Sequence, residues 1–190
     1  MIKEAKTIYP VNELIKKRWS ARSFSDKQIS DDELNTIFEA ASWAFSSMNY
    51  QPWRYIYSKK SDKVNFEKFV DCLSEGNKPW AKNASVLIFS LAKKNYDDGN
   101  KNIAALHDVG AANATLILQA ASMEIYGHLM GGYSKTKAIE LFNIDTQEYE
   151  PVVFIALGYL DDPEKLEEPF RTRELTPRTR KPIADFVKKF

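Results

Sequence analysis

Ser46, Ser47, Asn49 and Gln51 crowd into the short stretch Ala44–Trp53, where an amphipathic segment gives way to the apolar run that begins at Pro52 and Trp53. Asn and Gln each carry a donor and an acceptor, so Asn49 and Gln51 suit the edge of a flat heterocycle that alternates carbonyls with N–H groups. The same residue types fold ordinary loops through Asx and serine turns, and the stretch alone leaves both readings open. Arg18-Trp19-Ser20-Ala21-Arg22 can offer guanidiniums and a hydroxyl to a phosphate. Near the C-terminus, Pro177-Arg178-Thr179-Arg180-Lys181-Pro182 would place Arg178 and Arg180 on one side of an extended chain. Each basic cluster reads equally as a solvated face. Gly131 and Gly132, following Met130, let a ligand approach the backbone and its N–H groups, or mark a tight turn.

Other chemistry is thinly represented. His107 and Asp108 are neighbours on a predicted helix, but adjacent helix residues point in different directions and no serine or cysteine motif accompanies them. A structural or interface role is expected for the pair. Cys72 reads as a helix residue rather than a nucleophile. His128 has no second ligand at helical or strand spacing, so no metal site is expected. No Walker-type or Rossmann glycine loop occurs.

Composition narrows the class. A chain of 190 residues, 44% hydrophobic and 28% charged, fits one soluble globular domain over 1–190. A formal net charge of +1 gives no bulk reason to expect nucleic acid or an anionic membrane as partner. The single cysteine excludes an internal disulfide framework and fits a reducing compartment. The N-terminal residues lack an apolar leader core, and the longest apolar runs are strand-length, so the expected location is the cytoplasm.

The elements that must position these residues follow from periodicity. Helices are predicted over Pro10–Lys17, from the Ser30–Glu33 capping box through Leu34, Ile37, Phe38, Ala41 and Ala44, over Asp62–Leu73, and over Lys135–Phe142 behind Ser134. Strands are predicted over Trp53–Tyr57, Ala84–Ala92, Gly127–Tyr133 and Val152–Gly158. Ser74–Asn83 reads as a turn, with Trp80 at the core edge or over a pocket, and Lys93–Asn102, with Tyr96, as a surface loop. The longest helix, about Asn102–Ile125, carries Gly110-Ala111-Ala112-Asn113-Ala114 and is apolar nearly all round, which places it in the core and at a dimer interface. Asp161–Phe190 reads as a tail without a core pattern of its own. The class is α+β.

The order of motifs resembles the FMN-dependent nitroreductase family: Arg18-x-Ser20-x-Arg22, Ser46-Ser47-x-Asn49-x-Gln51-Pro52-Trp53, Asp108-x-Gly110-Ala111-Ala112, Met130-Gly131-Gly132-Tyr133, Ala156-Leu157-Gly158-Tyr159 and the closing Pro-Arg-x-Arg-Lys-Pro. The resemblance spans nearly the whole chain. It implies a mixed, mostly antiparallel central sheet flanked by helices, and a homodimer with two FMN sites at the interface and a C-terminal arm, 161–190, exchanged onto the partner. It further implies that Arg18, Ser20, Arg178 and Arg180 hold the FMN phosphate and that Arg22 lies near the flavin's polar edge. Asn49, with Gln51 beside it, meets the ring or ribityl chain, Ser46 and Ser47 reach the flavin of the other subunit, and Met130, Gly131 and Gly132 lie beside N5 and O4.

The activity so implied is reduction of a small-molecule acceptor, a nitroaromatic, quinone or similar flat electrophile, by NADH or NADPH through flavin N5. The protein supplies position and electrostatics and no side-chain nucleophile. Phe45, Trp80 and Tyr96 are candidates to border the acceptor. A reductive dehalogenase or enone reductase on the same fold, or a flavin carrier or redox sensor, remains an alternative. The sequence departs from the family pattern at Trp19, where a basic residue is usual, at Phe45, where a proline precedes the serines, and at Phe142-Asn143, where Leu-Gly is common.

Overall fold

The computed structural model describes residues 3–190; Met1 and Ile2, the start of the stretch read for a leader, lie outside the described residues. Four strands, β1 (Trp53–Lys59), β2 (Val86–Lys93), β3 (Ile125–Met130) and β4 (Tyr149–Tyr159), form one sheet in the order β1-β2-β4-β3. The sheet expected as mixed is antiparallel at each of these pairings.

The two central strands are covered on both faces, which is why β2 reads as a continuous apolar run. Successive residues of a strand face opposite ways. Leu87, Phe89 and Leu91 of β2 join Phe154 and Ala156 of β4 in one cluster, while Val86 and Ile88 join Ile155 and Leu157 in another. Over the second cluster lie α2 (Asp31–Ser42) and α5 (Ala105–Ser122), through Leu34, Ile37, Ala41, Leu116, Ile117 and Ala120. Over the first lie α3 (Lys63–Cys72), α4 (Lys78–Ala81) and α6 (Lys135–Phe142), with Phe66, Phe69, Trp80 and Ala138. The result is a helix–sheet–helix sandwich.

Helix ends follow the sequence chemistry. The Ser30–Glu33 capping box is present in both directions, and Asn12, Asp62 and Ser134 cap the helices behind them. Asn143 ends α6 in the left-handed region (φ 48°, ψ 51°), a position asparagine tolerates, and Phe142 packs against Phe69 with ring centroids 4.6 Å apart. Both residues at this departure from the family pattern thus have structural work in this chain.

The structure departs from the sequence reading in three places. The turn predicted over Ser74–Asn83 contains α4, opened by a proline in its first turn. The strand predicted over Gly127–Tyr133 lies earlier, as β3, because α5 ends at Ser122 and the chain reverses through Glu124 at φ 59°. The tail does possess core contacts: Leu166, Phe170 and Glu174 are buried, the last two on α7 (Phe170–Leu175). Through Arg178 the tail is tied to its own chain, and beyond it residues 179–190 are exposed throughout. Among the described residues no helix is long and apolar enough to cross a membrane, and no cluster of three or more His, Cys, Asp or Glu side chains could hold a metal ion.

Candidate functional site

Segment 18–24 leaves α1 (Glu13–Lys17) in extended conformation, with Arg18 at φ −64°, ψ 127°. Its burial alternates: Trp19, Ala21 and Ser23 turn inward, while Arg18, Ser20 and Arg22 are half-buried on the outer side. The motif spacing therefore puts its two arginines and the serine on one face. Trp19 does not share that face. Only 4% exposed, its ring lies 4.5 Å from that of Tyr126, and its indole N–H donates to Glu174 Oε1 at 3.3 Å. Trp19 is a core residue, which corrects its placement among the cofactor contacts.

The two basic motifs, distant in sequence, meet. Arg178 donates from Nη1 to the carbonyls of Lys3 (2.9 Å) and Lys16 (2.8 Å), bringing the tail beside the end of α1. The pKa of Arg18 is lowered by burial and then by the charges of Arg178 and Arg180, and that of Arg178 by burial and Arg180. Among the described residues no carboxylate forms an ion pair with any of the three. Such a like-charged cluster is held against its own repulsion and is suited to an anion.

Arg22 belongs to a different balance. Its Nη1 lies 3.7 Å from Glu174 Oε2, and its guanidinium carbon lies 5.8 Å from the Trp80 ring centroid. Burial lowers its pKa, while Glu174 pulls the other way. His128, on β3, stacks with Trp80 at 4.6 Å and pairs through Nδ1 with the Ala21 carbonyl at 3.1 Å. Burial, with Arg22 and Arg18 nearby, pushes its pKa down to about 4. Trp80 is 1% exposed, so it packs the core behind the arginine motif and does not border an acceptor within this chain.

The serine-rich loop is built at the other end of α5. Ser47–Asn49 form a single 3₁₀ turn, and Met48, Asn49 and Gln51 have positive φ (52°, 54° and 52°), a region few non-glycine residues adopt. Ser46 Oγ accepts from the Gln51 N–H at 3.1 Å, and Gln51 Nε2 donates to Asn49 Oδ1 at 3.1 Å. Asn49 and Gln51 are exposed, as is Phe45, whose ring sits 5.8 Å from that of His107. Asp108 binds the loop backbone at Ser47, which gives the His107-Asp108 pair the structural role expected of it. Tyr96 stacks edge-on against Tyr50 at 4.8 Å beside this loop.

At the end of β3, Met130 is buried in the core, so only its backbone faces outward contacts. Gly132 is closely packed: a Cβ there would come within 2.8 Å of Ser74 Oγ and 3.0 Å of Asn77 Nδ2, so those side chains would have to shift. Gly131 would carry a Cβ into open space, and no contact within the chain explains it.

The loop and the arginine cluster do not meet within one chain. Ser47 is bound at Asp108, in the first turn of α5, whereas Lys17, next to Arg18, pairs with Glu124 just beyond its last turn. The helix between them spans roughly 20 Å at about 1.5 Å per residue. Sequence reasoning missed Glu174 altogether: a lone glutamate in a charged tail carries no pattern, and only its burial singles it out.

Comparison with known proteins identifies relatives of this chain and of its fold. A solved structure described as an oxidoreductase containing FMN is 36% identical and superimposes with a TM-score of 0.91, over 97% of this chain and 93% of its own. A chain of Archaeoglobus fulgidus, provisionally named NADH dehydrogenase/NAD(P)H nitroreductase, is 30% identical over 158 residues, 78% of this chain and 84% of that one. YdgI of Bacillus subtilis, provisionally an NAD(P)H nitroreductase, is 26% identical over 187 residues, 79% of this chain and 88% of its own. The family model described as "Nitroreductase family" matches residues 15–72 and 58–159, which takes in the arginine motif, the serine-rich loop and the glycine pair. The chain belongs to the nitroreductase family.

Proposed function

We propose that this chain is an FMN-dependent NAD(P)H oxidoreductase, acting as a homodimer in the cytoplasm, that reduces nitroaromatics, quinones or similar flat electrophiles. When bound, FMN would supply the redox chemistry, taking a hydride from NADH or NADPH and returning reducing equivalents to the second substrate. The observation that carries the reading is the cluster of Arg18, Arg178 and Arg180, with no carboxylate ion-paired to it among the described residues, since a phosphate is the ligand class that relieves their repulsion.

Each residue then has a definite task. Arg18, Ser20, Arg178 and Arg180 hold the phosphate. Arg22, its charge partly offset by Glu174, sets a positive field at the polar edge of the ring. Gly131, where a Cβ would point into open space, lets the backbone approach the ring closely. Asn49 and Gln51, with Ser46 and Ser47, border the ring from a second copy of the chain, because within one chain they lie at the far end of α5. Phe45, Tyr96 and Met48 line the acceptor side, and the half-exposed apolar face of α5 meets its symmetry mate.

The test is a visible spectrum of the purified protein, followed by anaerobic addition of NADH and of NADPH. A yellow protein that bleaches with one donor and recovers its colour on adding a quinone or nitroaromatic supports the reductase. A protein that binds FMN but never bleaches is a carrier, and a colourless protein that FMN cannot load overturns the cofactor assignment.

A further inference from the structure

Glu174 is 4% exposed in a tail that is otherwise largely at the surface. Its Oε1 accepts from the Trp19 indole N–H at 3.3 Å and from the Arg22 backbone N–H at 3.2 Å. Among the described residues its Oε2 has no hydrogen-bond partner, and it faces Arg22 Nη1 at 3.7 Å. Burying a carboxylate is costly, and one that is incompletely satisfied is weak as a device for stability alone. We propose that Glu174 is a positioning residue for the arginine cradle: it clamps the tail to segment 19–22 and so sets Arg178 and Arg180 beside Arg18. The inference rests on the reading of that cradle as the cofactor-phosphate site.

Three further features support this role. Glu174 lies in the last turn of α7, and only Leu175, Thr176 and Pro177 separate it from Arg178, so fixing the one limits where the other can go. A cavity of about 380 Å³ opens between the tail and the N-terminal segment, lined by Lys3, Trp19, Leu160, Glu174, Leu175 and Arg178 among others, so apolar packing there is sparse. Leu166 and Phe170 anchor the start of the tail in the core that holds Trp19 and Ala21, and beyond that anchor polar contacts set how the two basic motifs align. The guanidiniums themselves repel, and close to the cluster the contacts of Glu174 and the two carbonyl bonds of Arg178, with the Lys3 Nζ donation to the Arg173 carbonyl at 3.1 Å, hold the tail to this segment.

The experiment compares binding of FMN and of riboflavin, which lacks the phosphate, to the full-length protein and to Glu174→Ala and Glu174→Gln, with thermal unfolding as the check on folding. Glu174→Ala is expected to lose at least about tenfold in FMN affinity while riboflavin affinity stays within about twofold. Glu174→Gln keeps an acceptor oxygen for Trp19 and Arg22 and is expected to lose less, about threefold, again for FMN alone. Equal losses for both ligands, or no loss, overturn the positioning role while leaving the cofactor assignment intact. If Glu174→Ala does not fold, Glu174→Gln decides by the same criterion. A wild-type protein that binds neither ligand, or binds both equally, overturns the phosphate reading and this role with it.

Discussion

The buried carboxylate of Asp108 accepts a hydrogen bond from the Ser47 backbone N–H at 3.0 Å, while its other oxygen lies 3.1 Å from His107 Nδ1. Through this contact the first turn of α5 holds a loop in which Met48, Asn49 and Gln51 all adopt positive φ. Left-handed backbone costs on the order of 1 kcal/mol or more for each such residue, so the loop keeps its shape only where something outside it fixes the chain. The exposed amides of Asn49 and Gln51 owe their direction to that anchor.

Removing the anchor tests it. Asp108→Ala strands the Ser47 N–H in a half-buried position and is expected to lower unfolding free energy by about 1–3 kcal/mol in urea denaturation. Asp108→Asn retains an acceptor oxygen and should cost less than half as much. A loss in Asp108→Asn equal to that in Asp108→Ala would mean that charge, rather than the hydrogen bond, holds the loop.

The arginine cluster predicts opposite effects on stability and on binding. Arg18 makes no ion pair among the described residues and crowds two like charges. Arg18→Ala should therefore leave the unliganded protein as stable as wild type, or more stable by up to about 1 kcal/mol. FMN affinity should fall by about 10–100-fold, the worth of one charged phosphate contact, and the loss should shrink as salt is raised. Calorimetric titration of FMN at two salt concentrations, beside thermal unfolding of the free protein, measures both.

His128 gives the fold a pH dependence whose sign is fixed. Its folded pKa of about 4 lies below the ordinary value, for which burial is the main cause and the nearby Arg22 and Arg18 charges a second one. As pH falls from about 6.5 to about 4, the unfolded chain takes up a proton that the folded chain refuses, so stability declines through that window, by about 1–3 kcal/mol in all. His128→Gln should remove most of that slope. Denaturation at closely spaced pH values decides, and parallel curves for the two proteins would locate the slope in the carboxylates instead.

Much of this was legible before any coordinates, and what was not has physical causes. The strands β1, β2 and β4 and the longer helices were found because β2 and β4 are buried on both faces and the helices are amphipathic or carry clear caps, whereas β3 was placed two residues late because the end of α5 carries no stop signal. The tail was misjudged because Leu166 and Phe170 are isolated among charges, and their burial depends on tertiary contact with Trp80 and its neighbours rather than on any local pattern. Arg18, Ser20 and Arg22 were recognisable by type and spacing, but that Trp19 between them points inward follows from the extended backbone and from Tyr126, which nothing nearby in sequence reveals. Glu174 was invisible for the same reason.

The separation of the loop from the arginine cluster makes the proposed function demand more, because a site built from both would need two chains. The surface around the loop favours this: Trp43, Phe45, Met48, Ile103 and Leu106 are 83%, 69%, 87%, 88% and 56% exposed, and beside them Gly110 and Ala114 leave the face of α5 open to close approach. Apolar side chains gathered so densely on one side of a protein mark an interface. One variant, Arg18→Ala, disables the cradle; another, Asn49→Ala with Gln51→Ala, disables the loop, and each alone should bind FMN poorly. Mixed and allowed to exchange subunits, half the dimers combine the two chains, and each of these holds one site with an intact cradle from one chain and an intact loop from the other, restoring about a quarter of all sites. A site contained within a single chain would gain nothing from mixing, since every chain present is defective. Recovery of FMN binding in the mixture, absent when exchange is blocked, would therefore establish the shared site, and its failure in freely exchanging dimers would place loop and cradle in separate sites.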